Sequence, residues 1–146
     1  MAADVYGVQA TKAFNTSPSE KMPVPYVGGG VRVDHDTYEA VALADGEYIQ
    51  MGGILEKGTL IEPISRIDHD ALGSSTDIAV YLRPLSGGAD VALIADQDTA
   101  SAGDILFTDI ATFPYEVLED SYLVLEVENA AITGTIKSNI YYTPLA

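Results

Sequence analysis

The chain has 146 residues, the size of a single domain, which buries roughly 68–70% of the surface its unfolded form exposes. It contains no cysteine, which excludes disulfides and cysteine-ligated zinc or iron–sulfur sites and suits synthesis in a reducing cytoplasm. Twenty-two acidic residues against seven basic ones give a formal net charge of -15, beyond the magnitude of about 2–8 usual for a small soluble domain.

The seven cations (Lys12, Lys21, Arg32, Lys57, Arg66, Arg83 and Lys137) stand singly along the chain. Phosphate backbones are held by clustered lysine and arginine, so nucleic acid is not expected as a partner. An anionic membrane would repel the chain in the same way, and no apolar run approaches the ~20 residues of a spanning helix. The opening Met1-Ala2-Ala3-Asp4-Val5 lacks the basic start and apolar stretch of a secretory signal.

From Thr11 to Gly30 the chain reads as an arm. Pro18, Pro23 and Pro25 remove amide donors, and Gly28-Gly29-Gly30 closes the stretch, so it is expected to be extended and outside any central strand. Phe14, Met22, Val24 and Tyr26 stud it with apolar anchors. Such an arm packs along its own domain or along a neighbouring subunit. The division expected is therefore 1–30 for an extended N-terminal strand and arm, and 31–146 for the body.

The body has the period of β-structure. In Val31–Leu43, Val31, Val33, Val41 and Leu43 fall on one side and Arg32, Asp34 and Asp36 on the other, the pattern of a half-buried strand. Tyr48–Met51 and Leu60–Ile67 are strand-like, the latter interrupted at Pro63, which argues for an edge or a bulge. Ile78, Val80 and Leu82 alternate with Asp77, Ala79 and Tyr81; Leu123, Leu125 and Val127 alternate with Val124, Glu126 and Glu128. At the end, Ile132, Ile136, Ile140 and Tyr142 share a face opposite Thr133, Thr135, Lys137 and Asn139. Turn chemistry recurs at Asp45-Gly46, Gly52-Gly53, Lys57-Gly58, Gly73-Ser74-Ser75 and Pro84–Gly88. Ser101–Asp104 reads equally as a helix start or as the entry to a strand through Ile105–Phe107. Many short strands with frequent turns predict an all-β, antiparallel sandwich or jelly roll.

Candidate chemistry is sparse. The two histidines sit in matching triplets, Asp34-His35-Asp36 and Asp68-His69-Asp70. Imidazole and carboxylate both bind divalent ions. On a strand, however, the two aspartates point one way and the histidine the other, so one triplet cannot converge on one ion. Polar, solvent-facing strand ends are the expected reading, with no metal and no cofactor. There is no Gly-x-Ser-x-Gly elbow, and Gly28-Gly29-Gly30 lacks the Lys-Ser or Lys-Thr of a phosphate loop. Carboxylate pairs are too abundant in so acidic a chain to single out a glycosidase pair. An enzyme is not expected. Nine tyrosines suit strands and interfaces; Tyr141 and Tyr142 lie on opposite faces of the last strand, one to fill the core and Tyr141 to meet a neighbour.

Tyr6–Gln9 with Thr11-Lys12, then Thr37-Tyr38-Glu39-Ala40 followed by Ile49-Gln50-Met51, and then Ile54-Leu55-Glu56-Lys57-Gly58-Thr59-Leu60-Ile61 are stretches that resemble small structural proteins of tailed bacteriophages. The same holds for Leu72-Gly73-Ser74-Ser75-Thr76 leading into Ile78, and for Asn129–Lys137 through Tyr141-Tyr142-Thr143. The run from Ser86 to Gly103 has no distinctive counterpart. The resemblance implies a capsid decoration or cement protein that stabilises the head by bridging neighbouring major-capsid subunits. It further implies a jelly-roll body, trimeric assembly and a place on the outer capsid surface of the virion. The subunit or capsid contacts expected are Phe14, Met22, Val24, Tyr26 and Tyr141. A jelly-roll module binding glycan or host surface is the alternative; an absent tryptophan weighs against it.

Overall fold

The computed structural model describes residues 4–6, 30–110 and 112–144; the expected arm, with Phe14, Met22, Val24 and Tyr26, lies outside them. The strands are β1 (Asp4–Tyr6), β2 (Arg32–Leu43), β3 (Tyr48–Leu55), β4 (Leu60–Ile61), β5 (Arg66–His69), β6 (Asp77–Pro84), β7 (Val91–Asp98), β8 (Gly103–Leu106), β9 (Tyr115–Glu116), β10 (Ser121–Glu128) and β11 (Ile132–Thr143). A 3-10 turn, Phe107–Asp109, follows β8, so Ser101–Asp104 opens a strand and not a helix.

One sheet runs β1-β3-β10-β6-β7; the other runs β8-β5-β11-β4-β9, with β2 on the far side of β11. Only the β1–β3 pair is parallel among the described strands. Set apart from the short strands, the two sheets read β3-β10-β6-β7 and β2-β11-β5-β8. Successive long strands thus interleave between sheets in two Greek keys, the wiring of a jelly roll.

Alternation decides which side chains fill the sandwich. Ile49, Met51, Ile78, Val80, Leu82, Leu123, Leu125 and Val127 enter from the first sheet, and Ile67, Ile105, Ile132, Ile136 and Ile140 from the second, all buried. Phe107 stacks on Phe113 with centroids 4.5 Å apart. Tyr142 packs on this core. Tyr141, half-buried, lies on the opposite face of β11, as the alternation predicts.

Two expectations are corrected. Gly52-Gly53 is not a turn: β3 runs through both, and the register with β10 jumps there, Tyr122 pairing with Ile54 and Leu123 with Met51. This is a bulge, in which extra residues are left without ladder partners. For Val31 and Val41 the expected inside and outside are also exchanged, whereas Leu43, at the end of β2, packs on the core. Val31 and Val41 are exposed, Val41 at 79%, whereas Asp36 is 4% exposed. The bulge supplies the reason, because its amides need acceptors. Gly52 N–H donates to Asp36 Oδ2 at 2.7 Å and Gly53 N–H to Asp34 Oδ2 at 2.9 Å. The carboxylates of one sheet therefore close the side of the sandwich against the other.

Candidate functional site

β11 is the element that gathers the polar groups singled out by sequence. It pairs with β2 on one side, Asn139 opposite His35, and with β5 on the other, Lys137 opposite Asp68. The two Asp-His-Asp triplets are thus separated by one strand. Because side chains alternate, they contribute unlike groups to the outer face of this sheet: His35 from the first triplet and Asp68 from the second.

Asn139 joins them. His35 Nδ1–H donates to Asn139 Oδ1 at 2.6 Å, and Asn139 Nδ2–H donates to Asp68 Oδ2 at 3.4 Å. Arg66 Nε lies 3.3 Å from Asp68 Oδ1. In the next strand Asp104 stands opposite Asp68. Burial, and then the hydrogen bond with the Asp104 carboxyl, push the Asp68 carboxyl above the usual range; Arg66 and Lys137 oppose the shift. His69 faces inward, its Nδ1–H donating to the Asp70 carbonyl at 2.9 Å, while Asp70 Oδ2 accepts the Thr135 amide at 3.0 Å. An open depression of about 500 Å³ lies over Asp68, Asp70, Asp104 and Lys137.

Each member of the triplets therefore holds a place in the sheet. Asp34 and Asp36 seize the bulge, His35 and Asp68 are linked through Asn139, and His69 and Asp70 tie the end of β5 to β11. Asp34 is raised by burial, with the Gly53 amide pulling the other way. The expectation of solvent-facing carboxylates at strand ends is overturned for Asp34 and Asp36. Among the described residues no group of three or more His, Asp or Glu side chains is arranged to hold a metal ion.

The outer face of the other sheet carries a network that sequence reading missed. Tyr48 O–H donates to Glu126 Oε2 at 2.9 Å. Arg83 sits over the Tyr48 ring, 4.5 Å from its centroid, and donates from Nε and Nη2 to the two oxygens of Asp90, both at 3.1 Å. Glu128 is pushed up to about 8 by hydrogen bonds with Glu126 and Asp96 and by its own partial burial. Tyr48 is pushed up to about 12 by burial and by Glu126. The only signal in the sequence was the polar half of the β6 and β10 alternation. It gave no hint that Glu126, Glu128 and Asp96 would meet.

The class defined by these residues is a jelly-roll sandwich whose outer faces carry hydrogen-bonded polar networks. No protein-family model matches the chain, and no curated protein matches it. Among solved structures, a chain of the capsid of Ralstonia phage GP4 shares the fold. The TM-score is 0.64 at 18% identity, and the likeness covers 99% of this chain and 99% of that one.

Proposed function

We propose that this chain is a non-enzymatic structural protein of a phage virion, which decorates the outer capsid surface and stabilises the head by bridging neighbouring major-capsid subunits. The observation that carries the reading is the span of the structural likeness. It takes in nearly all of both chains. The phage-like turn and strand motifs of the sequence point the same way, although fold alone does not fix function.

In this reading the protein assembles as a homotrimer and its partner is the major capsid protein. The arm residues Phe14, Met22, Val24 and Tyr26, together with the outward Tyr141, make subunit or shell contacts. Acidity keeps free copies apart before assembly, and the charge balance leaves encapsidated DNA without a binding stripe.

The test is co-sedimentation with heads from which the protein has been stripped, with the solution mass measured in parallel. Saturable rebinding by a trimer, with the heads becoming more heat-resistant, is expected. Removal of residues through Tyr26 is expected to lower occupancy; unchanged occupancy and mass would remove the arm from the model. A protein that ignores the heads would turn attention to glycan or host-surface recognition.

A further inference from the structure

One end of the sandwich carries two exposed leucines on turns, where sequence normally places Gly, Asn, Asp or Ser. Leu118 is 63% exposed and Leu85 46%. They line an open groove of about 500 Å³ with Lys57, Ser86, Glu119 and Asp120. The leucines cannot simply fold inward, because the turns that carry them are pinned. Leu85 N–H donates to the Asp120 carbonyl at 2.9 Å, Lys57 N–H to Asp120 Oδ1 at 2.8 Å, and Gly58 N–H to the Val117 carbonyl at 2.8 Å. Val117 and Pro84, the neighbours of the two leucines, are buried anchors. An apolar pair held rigidly in water loses little freedom when a partner covers it.

Charge narrows the choice of occupant. Glu119 and Asp120 line the groove and the exposed Glu56 and Glu116 neighbour it along the chain, with Lys57 the one cation among its described lining residues. A second copy meeting the groove about a twofold axis would set these carboxylates against themselves. Elsewhere on the described surface each cation stands beside a carboxylate: Arg83 is held by Asp90 and Arg66 by Asp68, Lys137 stands across from Asp68, and Arg32 shares the surroundings of Tyr142 with Asp34. Among the described residues, another face of the same chain thus offers no basic counter-surface. Anionic lipid and nucleic acid are repelled for the same reason.

We infer that this end of the sandwich, centred on Leu85 and Leu118, is the docking surface for a protein patch of the opposite kind: an apolar socket rimmed by lysine or arginine, presented by the capsid shell. The inference rests on the virion reading and adds to it which end of the jelly roll faces the shell and what chemistry receives it.

Three proteins decide it in rebinding to stripped heads: wild type, Leu85→Ser with Leu118→Ser, and Glu116→Lys with Glu119→Lys. All four positions are exposed, so thermal unfolding of the variants is expected to match wild type. The leucine pair is expected to weaken rebinding by at least roughly tenfold. The charge reversals are expected to weaken it at low salt and to flatten its dependence on sodium chloride. Rebinding by both variants at wild-type strength would overturn the docking surface while leaving the virion reading intact. A solution mass that falls in the leucine variant would also overturn it, by making a second copy the occupant. Heads that take up not even the wild-type protein would sink both.

Discussion

Gly52 holds φ at +75°, and a Cβ built there would lie 2.3 Å from Asp34 Oδ2. Two constraints meet at this residue: a left-handed backbone, and the Asp34 carboxylate brought close to accept the Gly53 amide of the bulge. Gly46 has a similar φ of +88° but nothing within 4 Å of a Cβ, so the pair separates conformation from crowding. Gly46→Ala is expected to cost about 1 kcal/mol. Gly52→Ala is expected to cost about 2–4 kcal/mol, from backbone strain and the loss of at least one carboxylate–amide bond. Urea unfolding of the two variants measures the difference. Equal losses would show that the Asp34 and Asp36 contacts do not pin the bulge.

The strand pair β6–β10 with its neighbour β7 shows how a sheet gathers charge that the sequence keeps apart. Glu126 of β10 pairs with Ala79 of β6 across the ladder, and Glu128 hydrogen-bonds both Glu126 and Asp96 of β7. Glu128 is consequently raised in the folded state to about 8 from an ordinary value of 4.5. A raised carboxyl binds its proton more tightly when folded. Its contribution to stability is therefore fully present below about pH 4.5 and is lost as pH rises through about 8. Glu128→Gln keeps the hydrogen-bonding outline without the ionisation. Its melting temperature is expected to gain on wild type steadily between pH 4.5 and pH 8, with Glu126, Asp96 and Tyr81 as the facing groups. A constant difference across that range would show that Glu128 ionises freely. The Leu72–Thr76 stretch, noted for its phage-like pattern, also has a plain role at this scale. Thr76 and Thr99, both buried, share a hydroxyl bond of 2.9 Å, and Leu72 N–H reaches the Thr99 carbonyl at 2.9 Å. The motif welds the entry of β6 to the exit of β7.

At the scale of the whole molecule, a net charge of -15 acts on every state of the chain at once. The compact state feels its self-repulsion most, and salt shortens that repulsion as the Debye length falls from about 30 Å at 0.01 M to about 3 Å at 1 M. The melting temperature is expected to rise across this range of sodium chloride. A flat response would mean that local partners such as Arg83 with Asp90 and Arg66 with Asp68 already compensate the excess. The jelly-roll wiring explains why such an excess is tolerable: the carboxylates are spread over two outer faces and both loop ends. The sandwich interior is mainly apolar, and of the acidic side chains among the described residues Asp36, which closes its side at Gly52-Gly53, is the deeply buried one.

The class of fold, the positions of β6, β10 and β11 and the outward turn of Tyr141 were legible in the sequence, because a period of two is a local property that each strand writes for itself. What only the tertiary structure decided depends on partners distant along the chain. Val41 of β2 faces out and Asp34 and Asp36 face in, because a bulge in β3 needs acceptors. The two Asp-His-Asp triplets are linked only because β11 runs between them and offers Asn139. Leu85 and Leu118, thirty-three residues apart by their numbering, share one groove because the turn after β6 and the loop before β10 meet at one end of the sandwich. Alternation tells a side chain which way it alternates; which side is inside is set by the sheet that arrives to cover it.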